Sequence, residues 1–197
     1  MATSRIKTSS VLQGFPKSRS LLAGNAAYDP DNFESIATVI VGSGGSSTIT
    51  FSSIPSTYAH LEVRALYGTS SATSTNLFRL NNDSGSNYAR HYIVGSGSAA
   101  SASGAATQTA GFFSDWGPGG VTTSPGAAVM QILDYTDTNK YKTVRILNGY
   151  DGNGSGYIGL YSALWQSTTA VNRIDILAPS GGTISQYSKF ALYGIRD

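Results

Sequence analysis

Apolar and polar residues alternate in short runs along most of this chain, and turn-forming residues punctuate the runs. Ile36–Val41 is a β-branched run closed by the turn Gly42–Ser43–Gly44–Gly45. Thr48–Ile54 alternates until Pro55 stops it. His60–Leu66 places Leu61, Val63 and Ala65 on one face and His60, Glu62 and Arg64 on the other, as a pleated strand does. Asn76–Leu80 and Tyr88–Val94 flank Asn81–Asn82–Asp83–Ser84–Gly85, a cluster that predicts a hairpin. Ala127–Tyr135, Thr143–Tyr150, Tyr157–Trp165, Val171–Leu177 and Lys189–Ile195 complete a set of about ten strands, spaced as in an all-β domain. No stretch holds a 3.6-residue period for three turns. The pattern predicts an all-β fold, an antiparallel β-sandwich of jelly-roll-like form, with a closed barrel as the rival.

Two segments depart from that rhythm. Ser96 to Gln108 (SGSAASASGAATQ) is small and uncharged, and predicts a flexible surface loop or a loop packed closely against another copy. Phe112, Phe113 and Trp116 precede Gly117–Pro118–Gly119–Gly120 and predict a loop pinned to the core.

The first 32 residues carry neither period. Short apolar knots at Val11–Leu12, Phe15 and Leu21–Leu22 are separated by Gly14, Pro16, Ser18 and Ser20. Arg5, Lys7, Lys17 and Arg19 stand in residues 1–28 without one acid, whereas the remainder has nine basic and eleven acidic residues. The sequence therefore divides into an extended basic anchoring arm, 1–32, and a single slightly acidic β-sandwich domain, 33–197. Leu12, Phe15, Leu21 and Leu22 are candidates for burial in a partner. The four cations would steer the arm towards an acidic surface.

Composition narrows the chemistry. Of 197 residues, 71 are Ser, Thr or Gly, and charged residues make up only 12%, about half the usual share. With 40% hydrophobic residues the chain is too apolar to be disordered. No cysteine is present, which excludes disulfides, thiolate metal sites and cysteine catalysis. No secretory signal pattern and no apolar run of membrane-spanning length occur. A basic arm with four scattered charges is a weak phosphate footprint, so neither nucleic acid nor membrane is expected as a partner.

Catalytic and cofactor motifs are wanting. His60 and His91 lie on different strands, and His60 with Glu62 and Arg64 suits a solvated charge ladder better than a metal site. Gly154–Gly159 matches G-x-G-x-x-G but opens a strand, where a dinucleotide site needs a helix. Asp151–Ser155 begins like a calcium loop, yet Ser162 stands where the bidentate acid belongs, so a hairpin turn is the better reading. Asp134, Asp137, Asp151 and Asp175 show no pairing for acid–base work. No enzyme activity, metal or cofactor is expected.

Binding has one candidate. In Tyr157–Trp165, alternation puts Tyr157, Tyr161 and Trp165 on one face and Ile158, Leu160 and Leu164 on the other. With the aliphatic face in the core, the aromatic face is outward or at a subunit interface, suited to glycan stacking or to hot-spot contacts. A second core layer is the alternative.

Longer stretches carry a resemblance. FESIATVIVGSGGSSTITFSSIPSTYAHLEVR (33–64), DYTDTNKYKTVRILNGYDGNGSG (134–156) and YSKFALYGIRD (187–197) resemble small virion structural proteins of tailed bacteriophages, especially phages of cyanobacteria and marine bacteria. SRSLLAGNAAY (18–28) is similar to leaders in those proteins. Together these cover about half the chain, but they are strands and turns and transfer no site residue. The resemblance implies a virion exterior location and a non-enzymatic role. The expected protein is a tail-associated short fibre, adaptor or baseplate module, attached by its arm to other virion proteins and presenting its sandwich outward. A capsid decoration or head-fibre protein is the alternative. A homo-oligomer is expected, with three copies suggested by the resemblance, and host surface glycan is a candidate ligand.

Overall fold

The computed structural model describes residues 33–70, 75–114 and 117–196. The whole arm, with Arg5, Lys7, Leu12, Phe15, Lys17, Arg19, Leu21 and Leu22, lies outside them, as does Trp116. Twelve strands and no helix occur among the described residues. They are β1 (Phe33–Ile40), β2 (Thr48–Phe51), β3 (His60–Tyr67), β4 (Asn76–Leu80), β5 (Tyr88–Gly95) and β6 (Ala100–Gln108), then β7 (Gly111–Ser114), β8 (Gly126–Ile132), β9 (Lys142–Asp151), β10 (Gly156–Trp165), β11 (Ile174–Leu177) and β12 (Lys189–Ile195).

They form two antiparallel sheets, one of eight strands ordered β1-β12-β3-β8-β9-β10-β5-β6 and one of four ordered β2-β11-β4-β7. The β5–β6 and β9–β10 hairpins are insertions. Without them, β1-β12-β3-β8 faces β2-β11-β4-β7, and the chain crosses between sheets in jelly-roll order. The sandwich expected from alternation is present, and the barrel is not. The two inserted hairpins meet where β10 pairs with β5, and they extend the first sheet by four strands.

Between the sheets lies one apolar core. From the large sheet come Leu61, Val63, Met130, Ile132, Phe190 and Leu192, and from the small one Ile49, Phe51, Phe78, Leu80, Ile174 and Ile176. Each such side chain, fully buried, contributes roughly 1.5–3 kcal/mol. Phe112 and Phe113 enter this core from β7, a short strand rather than a pinned loop.

Two further expectations are corrected. The 81–85 cluster is not the turn of a hairpin, because β4 belongs to the small sheet and β5 to the large one. It is a corner between sheets. Asp83 N–H donates to Leu80 C=O at 3.0 Å across Asn81 and Asn82, whose φ values of 51° and 56° give the inverted turn that asparagine tolerates. The Tyr88 hydroxyl accepts from Leu80 N–H at 3.0 Å and pins the corner from inside. Burial pushes that phenol up to about 12. The second correction is the small-residue segment. Ala100–Gln108 is not a loop but the edge strand β6, paired with β5. Its backbone hydrogen bonds hold it, while its side chains stay almost wholly exposed and so leave no hydrophobic alternation to read.

Candidate functional site

The large sheet has one face on the core and one face outward, and the outward face is unusually apolar. Val129, Leu147, Leu160, Ile93 and Ala102 are successive register partners across β8, β9, β10, β5 and β6. Leu66, Ala127, Gly149, Ile158, Gly95 and Ala100 form a second row beside it, from β3 to β6. Leu147, Leu160 and Ile93 are each 53% exposed and Ile158 is 63% exposed. From β8 to β6 these two rows hold no charged residue. Isolated exposed aliphatics are ordinary, but a contiguous patch marks an interaction surface.

The surface has relief. Ala127 and Gly149 have little or no side chain, and a shallow cavity of about 680 Å³ opens there, walled by Arg64, Val129, Leu147, Tyr150, Asp151, Tyr157 and Ile158. A second cavity of about 290 Å³, on the loop beginning Gly95–Ser96–Gly97, shares Tyr150, Asp151, Tyr157 and Ile158 with the first. Tyr150 and Tyr157 are cross-strand partners at the end of the β9–β10 hairpin, with ring centroids 6.4 Å apart and near-parallel planes. Burial, and then the neighbouring Tyr157, push the Tyr150 phenol up.

A polar row borders the apolar ones. Glu62, Gln131, Arg145, Ser162 and His91 follow one another in register on one side. Glu62 is buried there: Arg64 Nε donates to it at 2.8 Å and Gln131 Nε2 at 3.0 Å. The Arg64 guanidinium lies 4.7 Å from the centroid of the Phe33 ring, which stacks on Tyr193. This packed cluster replaces the solvated ladder expected for His60, Glu62 and Arg64. His60 Nδ1 accepts the Asp134 N–H at 3.0 Å instead.

The aromatic face of β10 is reversed from its outward expectation. Tyr161 and Trp165 are only 3% exposed and belong to the core, while Tyr157 is half-buried against it. Tyr161 lies between Tyr92, at 5.8 Å, and the edge of Phe112, at 6.4 Å. Glycan stacking on these two rings is thereby overturned, and so is their use between subunits. The reason is volume. Gly159 and Ala163 share their side of the strand, and a Cβ at Gly159 would come within 2.4 Å of the Tyr161 ring. Small residues leave space that the large rings fill, and β7 supplies Phe112 to close it. Ile158 and Leu160 are then left outside, and Leu164 half-buried. Alternation alone assigned them to the core. The signal that could have found them is the large–small order Tyr161, Ala163, Trp165 beside Gly159.

The Asp151–Gly156 segment is a hairpin turn. Asp151 Oδ1 accepts Asn153 N–H at 2.7 Å, and Asn153 and Gly154 hold φ values of 59° and 103°. Among the described residues no three or more of His, Asp and Glu come together as a metal site would require. Comparison with protein-family models, with curated proteins and with solved structures found no match.

Proposed function

We propose that the chain is a non-enzymatic structural protein of a bacteriophage particle, held to it by the arm 1–32 and associated with the tail. The observation that carries this reading is the uncharged pair of apolar rows on the outward face of the large sheet, a surface that gains stability when another protein covers it. The resemblance of 33–64, 134–156 and 187–197 to virion proteins of tailed phages supports the particle. The charge split between a basic arm and a slightly acidic body supports attachment through the arm. Decoration of the capsid is the second reading, favoured by the same apolar face, since a shell offers many neighbours to cover it.

Quantitative mass spectrometry of purified particles encoding the chain tests both. Tens of copies or fewer indicate the tail and hundreds indicate the shell, while absence from the particle overturns the proposal. Deleting residues 1–32 leaves all twelve described strands in place. The truncated protein should fold and melt cooperatively yet fail to join particles lacking the native copy.

A further inference from the structure

We propose that copies of this chain meet one another through the outward face of the eight-stranded sheet, with the Val129–Leu147–Leu160–Ile93 row at the centre of the contact. The inference rests on the assembly reading above and names the surface and the partner. Size favours it. Eight strands about 4.8 Å apart and about eight residues long cover roughly 38 by 26 Å, or about 1,000 Å². A stable standard interface takes about 800 Å² from each partner.

Charge favours a second copy over the arm. Lys189, Arg64 and Arg145 on this face are set against Glu62 and Asp151, so the cationic arm finds no acidic groove here. A copy of the same face meets an uncharged centre and a rim carrying both signs, the arrangement of a protein–protein interface. Shape agrees: Ile158 projects beside the cavity over Ala127 and Gly149, so one face holds both a knob and a hollow.

Sedimentation of the full chain and of two variants tests this. Leu147→Glu with Leu160→Glu places charges at the centre, and Ile93→Glu does so from another strand. The native chain should sediment as a multiple of its 20.5 kDa mass. Both variants should weaken association by about 100-fold or more, while matching the native melting temperature at a dilution where copies are apart, because the altered side chains are exposed in one copy. Variants that stay fully assembled overturn the face and leave the particle proposal standing. A native chain that is monomeric at about 100 μM, weaker than ordinary stable assemblies, also overturns it, and mass spectrometry of particles still decides the function. The chain has no cysteine, so Leu160→Cys provides a check that needs no loss of assembly. A short bismaleimide should link copies through Leu160→Cys and not through Ser84→Cys in the β4–β5 corner, and equal linkage overturns the proposal.

Discussion

The indole N–H of Trp165 donates to the carboxylate of Asp83 at 2.7 Å, tying the end of β10 to the corner where the chain passes from the small sheet to the large one. Asn87 Nδ2, at 2.9 Å, and Gly85 N–H, at 2.8 Å, donate to the same carboxylate. Three donors thus converge on one acid. Asp83→Ala should cost about 2 kcal/mol, since hydrogen bonds to a charged group contribute about 1.5–3 kcal/mol. In a domain of this size that lowers the melting temperature by about 4–8 °C. Trp165→Phe should cost at least as much, because it removes one donor and also leaves a cavity where the indole fills the core. Thermal melts followed by circular dichroism check the order, and equal stability of Asp83→Ala and the native chain would refute it.

Acid should unfold the protein through the same group. Burial pushes the Asp83 carboxyl up, but the donated hydrogen bonds prevail and hold it below its ordinary 3.8. Asp137, bonded by Asn139 N–H and by Lys140, and Asp134, bonded by Lys140, are also held low. A folded pKa below the unfolded one gives stability that is fully present above the unfolded value and is lost as pH falls through the folded value. The melting temperature should therefore change little between about pH 7 and 5 and drop below about pH 4. Asp83→Asn should reduce the slope of that drop.

The two sides of β10 should answer substitution in opposite ways. Tyr161→Ala removes a ring packed between Tyr92 and Phe112, and should cost about 3–5 kcal/mol as large-to-small changes in a core do. Leu160→Ala, one residue away and exposed, should fall within about 0.5 kcal/mol of the native chain when measured at a dilution where copies are apart. Equal costs would mean the strand is turned the other way.

Lys142 is a buried cation at the start of β9. Its ammonium donates to the carbonyls of Asp137 at 2.5 Å, Lys140 at 2.9 Å and Thr168 at 3.3 Å, joining three points of two loops. Burial pushes its pKa down, with Asp137 pulling the other way. Lys142→Met keeps the stem but leaves the carbonyls without their donor, and should cost about 3 kcal/mol. Urea unfolding should show a lower midpoint with an unchanged slope.

The strands most open to reading were those with one wet face. His60–Leu66 and Lys189–Ile195 show their inner and outer sides directly, and the turn residues Asn81–Gly85 and Asp151–Gly156 mark real changes of direction. β6 was hidden because a strand exposed on both faces needs no apolar residue. Ile158 and Leu160 on β10 lie opposite to their expected side because Leu and Ile look the same in a core and on an uncovered face.

The sequence by itself determined that this chain is all-β, where ten of its twelve described strands lie to within a few residues, and that its first 28 residues are basic and without an acid. Those features are local, set by alternation, turn chemistry and charge. Only the tertiary structure decided that the 81–85 turn passes between sheets, that two hairpins widen one sheet to eight strands, and that Tyr161 and Trp165 point inward while Ile158 and Leu160 point out. Each of these depends on which distant strand lies opposite. A strand's alternation offers two faces, and the layer packed against it selects the buried one. Here Phe112 on β7, nearly fifty residues before Tyr161, makes that selection.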